Sequence, residues 1–242
     1  EQCPADDPDT KINLGCMLYK ENNYQKACQH FQQAMQVIGF KPDLAYNIAL
    51  CFYMLKQYAP ALKHIADIIE RGIREHPELG VGMTTEGIEV RSVGNTLTLK
   101  ETALIETFNL KAAIEYNLKN ITQACEALTD MPPRSEEELD HVTLHNQALM
   151  NMENSAVGGF QKLQFLMQQD SFPPETFGNL LLLYTKYEYL ELAADVLAEN
   201  TQLAYKYLEP YLYDFIEAVI LRQTAPEEAY RRLDEMANKQ TE

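Results

Sequence analysis

The chain has 242 residues, of which 46% are hydrophobic, a composition typical of a globular protein and not of a disordered one. Its formal net charge of −16 argues against nucleic acid and anionic lipid as main partners, because both need a basic footprint. No apolar run approaches the roughly 18 residues that a membrane-spanning helix needs. The five cysteines are odd in number and lack a Cys-x-x-Cys pair, which favours free thiols in a reducing compartment.

The first long pattern is a 34-residue repeat that covers residues 8–41 and again 42–76. Matching positions in the two copies are Pro8 and Pro42, Asn13 and Asn47, Gly15 and Ala49, Tyr24 and Tyr58, Ala27 and Ala61, and Phe31 and Ile65. A period of 34 with small residues at fixed places indicates the tetratricopeptide repeat, a helix–turn–helix unit. We expect Asp9 and Asn23 to be the N-caps of the first two helices, and Gly39 to end the second.

The period breaks over residues 77–100, which contain four of the ten glycines. Ile88–Val93 alternates between apolar and polar residues, Leu97–Leu99 does the same, and Gly94-Asn95 lies between them. This pattern predicts an insertion that is either a short β-hairpin or an ordered loop, with a floppy surface loop as the alternative.

Helical spacing resumes after the insertion and predicts repeats over residues 101–133, 135–171, 174–205 and 208–242. In the third repeat we assign Ala113, Ile121, Ala124 and Leu128 to the places of Ala49, Tyr58, Ala61 and Ile65, with a turn one residue shorter. Ser135 with Glu138 forms a capping-box pattern at the start of the fourth. The fold class is therefore all-α, a tetratricopeptide-repeat superhelix of about six helix pairs in a single array.

The sequence contains only weak signals of a catalytic, metal-binding or phosphate-binding site. His141 and His145 have the spacing of two metal ligands on one helical face, but neither a third ligand nor the metalloprotease glutamate follows. Gly158-Gly159 lacks the spacing of a phosphate loop. We therefore predict no enzyme, no metal and no cofactor.

The stronger hypothesis concerns the first helix of each repeat, which lines the inside of such arrays. Small seam residues such as Ala49 mark where the paired helices touch, and positions counted from them along the first helix face the inside. These positions are apolar, which predicts an inner wall that binds a partner. Its residues are Ile12, Cys16, Tyr19, Tyr46, Leu50, Tyr53, Leu110, Ile114, Leu149, Met152, Leu182, Phe215 and Val219. Such a patch marks an interaction site unless its members pack against neighbouring repeats or the insertion. A chaperone adaptor for charged C-terminal tails is the alternative, and its inward cations would be Lys20, Lys186 and Arg222.

Several stretches also resemble one specific family. They are Asn13–Cys16, His64–Arg74, His76–Thr85, Val142–Met152 and Phe172–Leu183. They resemble the tetratricopeptide repeat protein 30 family, also called fleer, and the resemblance covers nearly the whole chain, insertion included. The chain opens without an initiator Met and its last helical pattern is unfinished at Glu242, so we expect an internal segment of a longer polypeptide.

That resemblance implies a non-catalytic subunit of the intraflagellar transport B complex, needed for cilium assembly. It implies an array coiled around a proline-rich, apolar segment of intraflagellar transport protein 52, together with other subunits of that complex. It also implies a link to polyglutamylation of axonemal tubulin. The expected location is the cilium, including the basal body region, and the cytoplasm. It implies no catalytic residue, and we carry it only to the inner-wall positions.

Overall fold

The fold comes from a computed structural model that describes residues 7–83 and 91–240. Over these ranges the chain forms fourteen α-helices and two short 3-10 helices and contains no strand. This confirms the all-α fold. The chain separates into two compact units, unit 1 (residues 1–150) and unit 2 (residues 151–242). Among the helices described, none is long and apolar enough to cross a membrane.

Unit 1 is built of antiparallel helix pairs joined by short turns. Its helices are α1 (Pro8–Lys20), α2 (Tyr24–Ile38), α3 (Pro42–Met54), α4 (Tyr58–Glu75), α5 (Leu97–Glu101), α6 (Leu104–Asn117), α7 (Ile121–Asp130) and α8 (His141–Asn151). The 3-10 helices cover Pro77–Met83 and Glu136–Glu138. Helix α1 packs on α2, α3 on α4 and α6 on α7, while α2 contacts α3 and α4 contacts α6.

Unit 2 continues with helices of the same kind. They are α9 (Ala156–Met167), α10 (Glu175–Lys186), α11 (Leu190–Glu199), α12 (Thr201–Tyr207), α13 (Pro210–Leu221) and α14 (Pro226–Gln240). An aromatic cluster fixes the first three, because the Phe160 ring stacks on Tyr184 at 4.9 Å and meets Tyr189 edge-on. The Tyr184 hydroxyl accepts a hydrogen bond of 2.6 Å from Gln164 Nε2. Burying such rings supplies much of the packing energy of a small unit.

The helix pairs share one kind of turn. The turn between paired helices contains one non-glycine residue in the left-handed region, namely Asn22, Lys56, Lys119 or Glu188, with φ between 57° and 66°. The next residue closes the turn by donating its amide to a carbonyl five residues earlier, as Gln57 does to Phe52 at 2.9 Å. Four helix pairs therefore turn in the same way, although non-glycine residues adopt this conformation only at some cost.

Small residues set the distance between paired helices. A Cβ added at Gly15 would lie 2.6 Å from Cε1 of Phe31, which is itself 2% exposed. Ala27, Ala49 and Ala61 are fully buried. The helices of a pair can approach closely only because these positions are small, and the larger apolar residues fill the remaining space.

Two of the three predicted helix boundaries are confirmed. Asn23 caps α2 by accepting the Lys26 amide at 3.4 Å, and Gly39 ends that helix with φ 82°. The Asp9 prediction is wrong. Helix α1 begins at Pro8, and Asp7 caps it by accepting the Thr10 amide at 2.9 Å. Proline at the first helical position moved the start two residues upstream.

The hairpin interpretation of the insertion is wrong for its second arm, because Leu97–Leu99 lies in helix α5, capped by Thr96. Residues 84–90, which hold half of the first arm, lie outside the described residues. The segment after them is an ordered loop that is hydrogen-bonded to the end of the third predicted repeat and the start of the fourth. Val93 donates to the Pro133 carbonyl at 2.9 Å, and Asn95 to the Glu138 carbonyl at 2.8 Å. The capping box of Ser135 with Glu138 is confirmed, on a 3-10 helix.

The sequence prediction placed the first helix of the third repeat one residue out of register. Ala49 precedes the left-handed turn residue Lys56 by seven positions, and Ala112 precedes Lys119 by seven. Ala112 is 3% exposed, whereas Ala113 is only half-buried. Ala112 therefore takes the place of Ala49, and the turn is not one residue shorter. The other three assignments fit, since Ala124 and Leu128 are buried and Ile121 begins α7 as Tyr58 begins α4.

Candidate functional site

Six of the predicted wall residues come from two neighbouring helices of unit 1. We call this set the α1–α3 wall: Ile12, Cys16, Tyr19, Tyr46, Leu50 and Tyr53. Cys16 is exposed and the other five are half-buried. Their inner sides pack on the cores around Phe31 and Ile65, and the rest of each side chain remains in solvent. These side chains are thus held in place from below while keeping apolar area that a partner can cover.

Two tyrosines of the α1–α3 wall, Tyr19 and Tyr46, are held neutral. Burial raises the pKa of Tyr46 to about 12, helped by the nearby carboxylate of Glu106 and by Tyr19. Burial likewise raises the pKa of Tyr19 to about 12, with smaller effects from Tyr24, Cys51 and Tyr53. The rings of Tyr19 and Tyr24 also meet edge-on at 5.2 Å. At neutral pH this surface offers uncharged rings with protonated hydroxyls, which suits an apolar or uncharged partner.

Three of the predicted wall residues are instead part of the core. Leu110 and Ile114 are 5% and 0% exposed and pack with Ala49, Ala61 and Ile65. Met152 is 3% exposed. For these three residues the alternative of packing against neighbouring repeats holds, and the prediction of an accessible wall is wrong.

For Leu110 and Ile114 the cause is the one-residue register error in α6. Counted from the turn residue, the positions of Tyr46, Leu50 and Tyr53 belong to Asn109, Ala113 and Tyr116. Tyr116 is 47% exposed, and Asn117 beside it donates to the Tyr53 hydroxyl at 3.3 Å. Of the corrected positions, Ala113 and Tyr116 keep accessible area beside the α1–α3 wall, whereas Asn109 is 6% exposed.

The remaining predicted residues are half-buried. Leu149 lies on α8 in unit 1, whereas Leu182 lies on α10 and Phe215 and Val219 lie on α13 in unit 2. Each keeps part of its side chain accessible. Their membership in one binding surface stays a prediction.

A pocket of about 310 Å³ opens beside the α1–α3 wall in unit 1. Equivalent residues of successive first helices, Tyr46 and Asn109, both line it. We call it the Tyr46–Arg134 pocket. Its other lining residues are Asn95, Leu99, Lys100, Ile105, Glu106, Arg134, Asp140 and Val142. An apolar pocket with a few converging polar groups is the usual form of a binding site.

A chain of hydrogen bonds forms the polar side of this pocket. Arg134, whose side chain is 3% exposed, donates to Asp140 Oδ2 at 3.0 Å, and the Thr143 hydroxyl donates to the same oxygen at 2.6 Å. Asn109 donates to the Thr143 hydroxyl at 2.8 Å and accepts from Asn146 at 2.8 Å.

Asp140 carries the negative charge of this chain. Burial alone pushes its pKa up, but the hydrogen bonds from Thr143 and Arg134 outweigh burial and hold it below its usual range. Asp140 is therefore ionised at neutral pH, and the pair with Arg134 is a charged one.

Sequence reasoning missed this pocket. Its charged residues come from the insertion, from α6 and from the segment before α8, and no repeat position marks them. One signal was available: the nine residues from Ala49 to Tyr58 equal the nine from Ala112 to Ile121. That spacing would have identified Asn109 as the residue of the third repeat that is equivalent to Tyr46.

The two histidines singled out from the sequence, His141 and His145, both lie on α8. His145 is 6% exposed inside α8, and over residues 7–83 and 91–240 no three metal-binding side chains gather. Of the cations of the chaperone-adaptor alternative, Arg222 is paired with Glu188. Lys20 lies in unit 1, and Lys186 and Arg222 lie in unit 2.

Known proteins that this chain resembles share one name. It is 74% identical over all 242 residues to intraflagellar transport protein 70A of Xenopus tropicalis, and 71% identical to the protein of that name from Danio rerio. It is 70% identical over 234 residues to human intraflagellar transport protein 70B. The tetratricopeptide repeat protein 30 (fleer) family named from the sequence is the same family as these relatives. The chain spans 37% of the length of the Xenopus and Danio relatives and 35% of the human one.

Two further comparisons agree. The family model described as the C-terminal domain of intraflagellar transport protein 70 matches residues 176–242. Among solved structures, pilF of Pseudomonas aeruginosa superposes with a TM-score of 0.60, covering 93% of this chain and 88% of its own. At 11% identity that likeness concerns the fold alone, a tetratricopeptide-repeat array.

Proposed function

We propose that this chain is a segment of an intraflagellar transport protein 70 and serves as a non-catalytic scaffold in the intraflagellar transport B complex. The identity of 70–74% with relatives of that name supports the assignment. Its place of action is then the cilium, including its base, and the cytoplasm from which cilia are supplied. The proposal includes a link to polyglutamylation of axonemal tubulin.

The mode of action is the capture of an extended, apolar segment of a partner along the α1–α3 wall. The observation that carries this proposal is five half-buried side chains, fixed from below and accessible from above. Complete burial of one such side chain is worth roughly 1.5–3 kcal/mol, so covering the minor part that is still exposed gives less than about 1 kcal/mol. Covering all five therefore supplies part of the free energy that offsets the segment's loss of freedom on binding, about 4–15 kcal/mol.

The expected partner is the proline-rich, apolar segment of intraflagellar transport protein 52. Proline-rich segments are extended and lose little entropy on binding, and aromatic rings are their usual contacts. Tyr19, Tyr46 and Tyr53 supply such rings, and burial keeps the first two uncharged. A tail recognised through its negative charge would find no clustered cations on this wall.

The test is a pull-down of intraflagellar transport protein 52 by variants of this chain. The triple variant Tyr46→Asp, Leu50→Asp, Tyr53→Asp should lose binding while circular dichroism stays helical. The matched triple variant Val157→Asp, Tyr205→Asp, Tyr230→Asp changes side chains that are 69–89% exposed in unit 2 and should bind normally. Leu50→Asp alone serves if the first triple variant unfolds. Undiminished capture by a folded wall variant would refute the proposal.

A further inference from the structure

The Tyr46–Arg134 pocket lies on the same face as the α1–α3 wall but differs from it in chemistry. Tyr46 and Asn109 hold the same position in successive first helices, and both line the pocket. A partner segment that runs along the wall from α3 towards α6 therefore passes over its opening. Tyr46, Leu99, Ile105 and Val142 contribute rings and aliphatic groups to its lining, beside six polar or charged residues.

The pocket holds one unsatisfied donor. Nε of Arg134 is buried and makes no hydrogen bond within the described part of the chain, although the other guanidinium nitrogens bind Asp140, Thr143 and the Glu138 carbonyl. A buried polar group without a partner is uncommon and costs about 1–3 kcal/mol. An acceptor on a bound partner would remove this cost if the groups that cover Nε shift on binding.

Charges in the pocket are balanced. Arg134 and Lys100 are opposed by Asp140 and Glu106, and all four residues line it. Lys100 and Glu106 are exposed and form no ion pair within residues 7–83 and 91–240. An entering carboxylate would meet two acidic residues, and an entering cation would meet two basic ones. Neither charge sign is favoured, so a neutral group fits better.

Such a neutral group must both accept and donate hydrogen bonds. We infer that the Tyr46–Arg134 pocket takes the carboxamide of one glutamine or asparagine side chain on the partner segment. Its carbonyl oxygen accepts from Arg134 or Lys100, its NH₂ group donates to Glu106 or Asp140, and its methylenes lie against Ile105 and Val142. This inference rests on the proposed function, because it supplies the polar contact that sets the register of an otherwise apolar segment.

The test uses synthetic peptides with one variable position. The host is acetyl-Pro-Leu-Pro-Leu-Xaa-Leu-Pro-Leu-Pro-amide, with Xaa as glutamine, glutamate or leucine, titrated into the labelled 242-residue chain. Nuclear magnetic resonance measures the affinity and follows the side-chain amide of Asn109. The glutamine peptide should bind about tenfold more tightly than the other two, as expected for a hydrogen bond to a charged group, and should shift the Asn109 signal.

The second part of the test changes the charge of one residue at the rim of the pocket. Glu106→Lys alters an exposed residue and should switch the preference from the glutamine peptide to the glutamate peptide. The control Glu126→Lys makes the same charge change on the exposed face of α7 and should leave the order unchanged. Tightest binding by the leucine peptide, or an order that Glu106→Lys does not alter, would overturn the inference and leave the apolar scaffold intact. Failure of all three peptides to bind would count against the scaffold as well.

Discussion

Tyr46 and Asn109 each lie ten residues before the left-handed residue of their helix pair, Lys56 and Lys119, and both side chains line one pocket. This relationship shows that the repeat keeps its backbone register across the insertion while the chemistry of its first helix changes. On α3 this position is a half-buried tyrosine, and on α6 it is a buried asparagine.

The close contact between Gly15 and Phe31 gives the first prediction. In Gly15→Ala the new methyl group would lie 2.6–3.0 Å from three atoms of the Phe31 ring, so the ring or the helix must shift. We expect a loss of about 1–3 kcal/mol in the free energy of unfolding, measured by urea denaturation. In Gly158→Ala the only close neighbour is the Ser155 side chain, and little change is expected. Equal stability of the two variants would contradict the packing described.

The register of α6 gives the second prediction. Ala112→Leu places a large side chain at a position that is 3% exposed and should lower the free energy of unfolding by about 1–3 kcal/mol. Ala113→Leu makes the same change one residue later, where the side chain is half-buried, and should cost less than about 1 kcal/mol. Thermal unfolding of the two variants decides between the registers, and the reverse order of stability would restore Ala113 as the seam residue.

Some features of the fold could be predicted from the sequence and others could not. The helix pairs were predictable, because the 34-residue period and the small residues Gly15, Ala27 and Ala61 encode local packing. The register of the third repeat was predicted wrongly because the insertion interrupts the 34-residue period, so positions could not be counted on from the second repeat. Helix α5 was mistaken for strand because Leu97–Leu99 is too short for its alternation to separate the two. The pocket depends on long-range contacts of Arg134 and Asp140, which no local pattern reports.

The pair of Arg134 and Asp140 gives the third prediction. Asp140→Asn removes the charge that neutralises a buried guanidinium and should cost about 2–3 kcal/mol at pH 7. This is less than for a fully buried pair, because the Asp140 side chain is 38% exposed. The folded pKa of Asp140 is depressed, so its contribution is present above the unfolded value of about 3.9 and is lost as pH falls through the folded one.

Denaturation of the two proteins from pH 7 to pH 3 measures this effect. The gap between the parent chain and Asp140→Asn should narrow as the pH drops below about 4. Asp67→Asn is the control, since Asp67 pairs with Arg71 at 3.7 Å with both side chains more than 40% exposed. It should change the free energy of unfolding by less than about 0.5 kcal/mol. A gap that does not depend on pH would show that the charge of Asp140 is not the cause.

The raised pKa of Tyr46 gives the fourth prediction. Its folded value of about 12 exceeds the unfolded value of about 10, so the stability linked to its proton is complete below pH 10 and lost as pH rises towards 12. The free energy of unfolding should therefore fall by up to about 1.4 kcal/mol per pH unit on account of this group. Tyr46→Phe should flatten that slope in urea denaturation between pH 9.5 and 11.5. Tyr205→Phe, at a residue 89% exposed, should leave it unchanged, and the same slope in all three proteins would refute the prediction.

The most direct test of the scaffold proposal asks which helix face the partner touches. The photo-reactive amino acid p-benzoylphenylalanine replaces Leu50 on α3 in one protein and Val37, which is 62% exposed on α2, in another. Each is irradiated with intraflagellar transport protein 52, and crosslinked products are mapped by mass spectrometry. We expect crosslinks from position 50 into one apolar segment of the partner and none from position 37. Crosslinks from position 37 alone, or equally from both, would contradict a partner held along the α1–α3 wall.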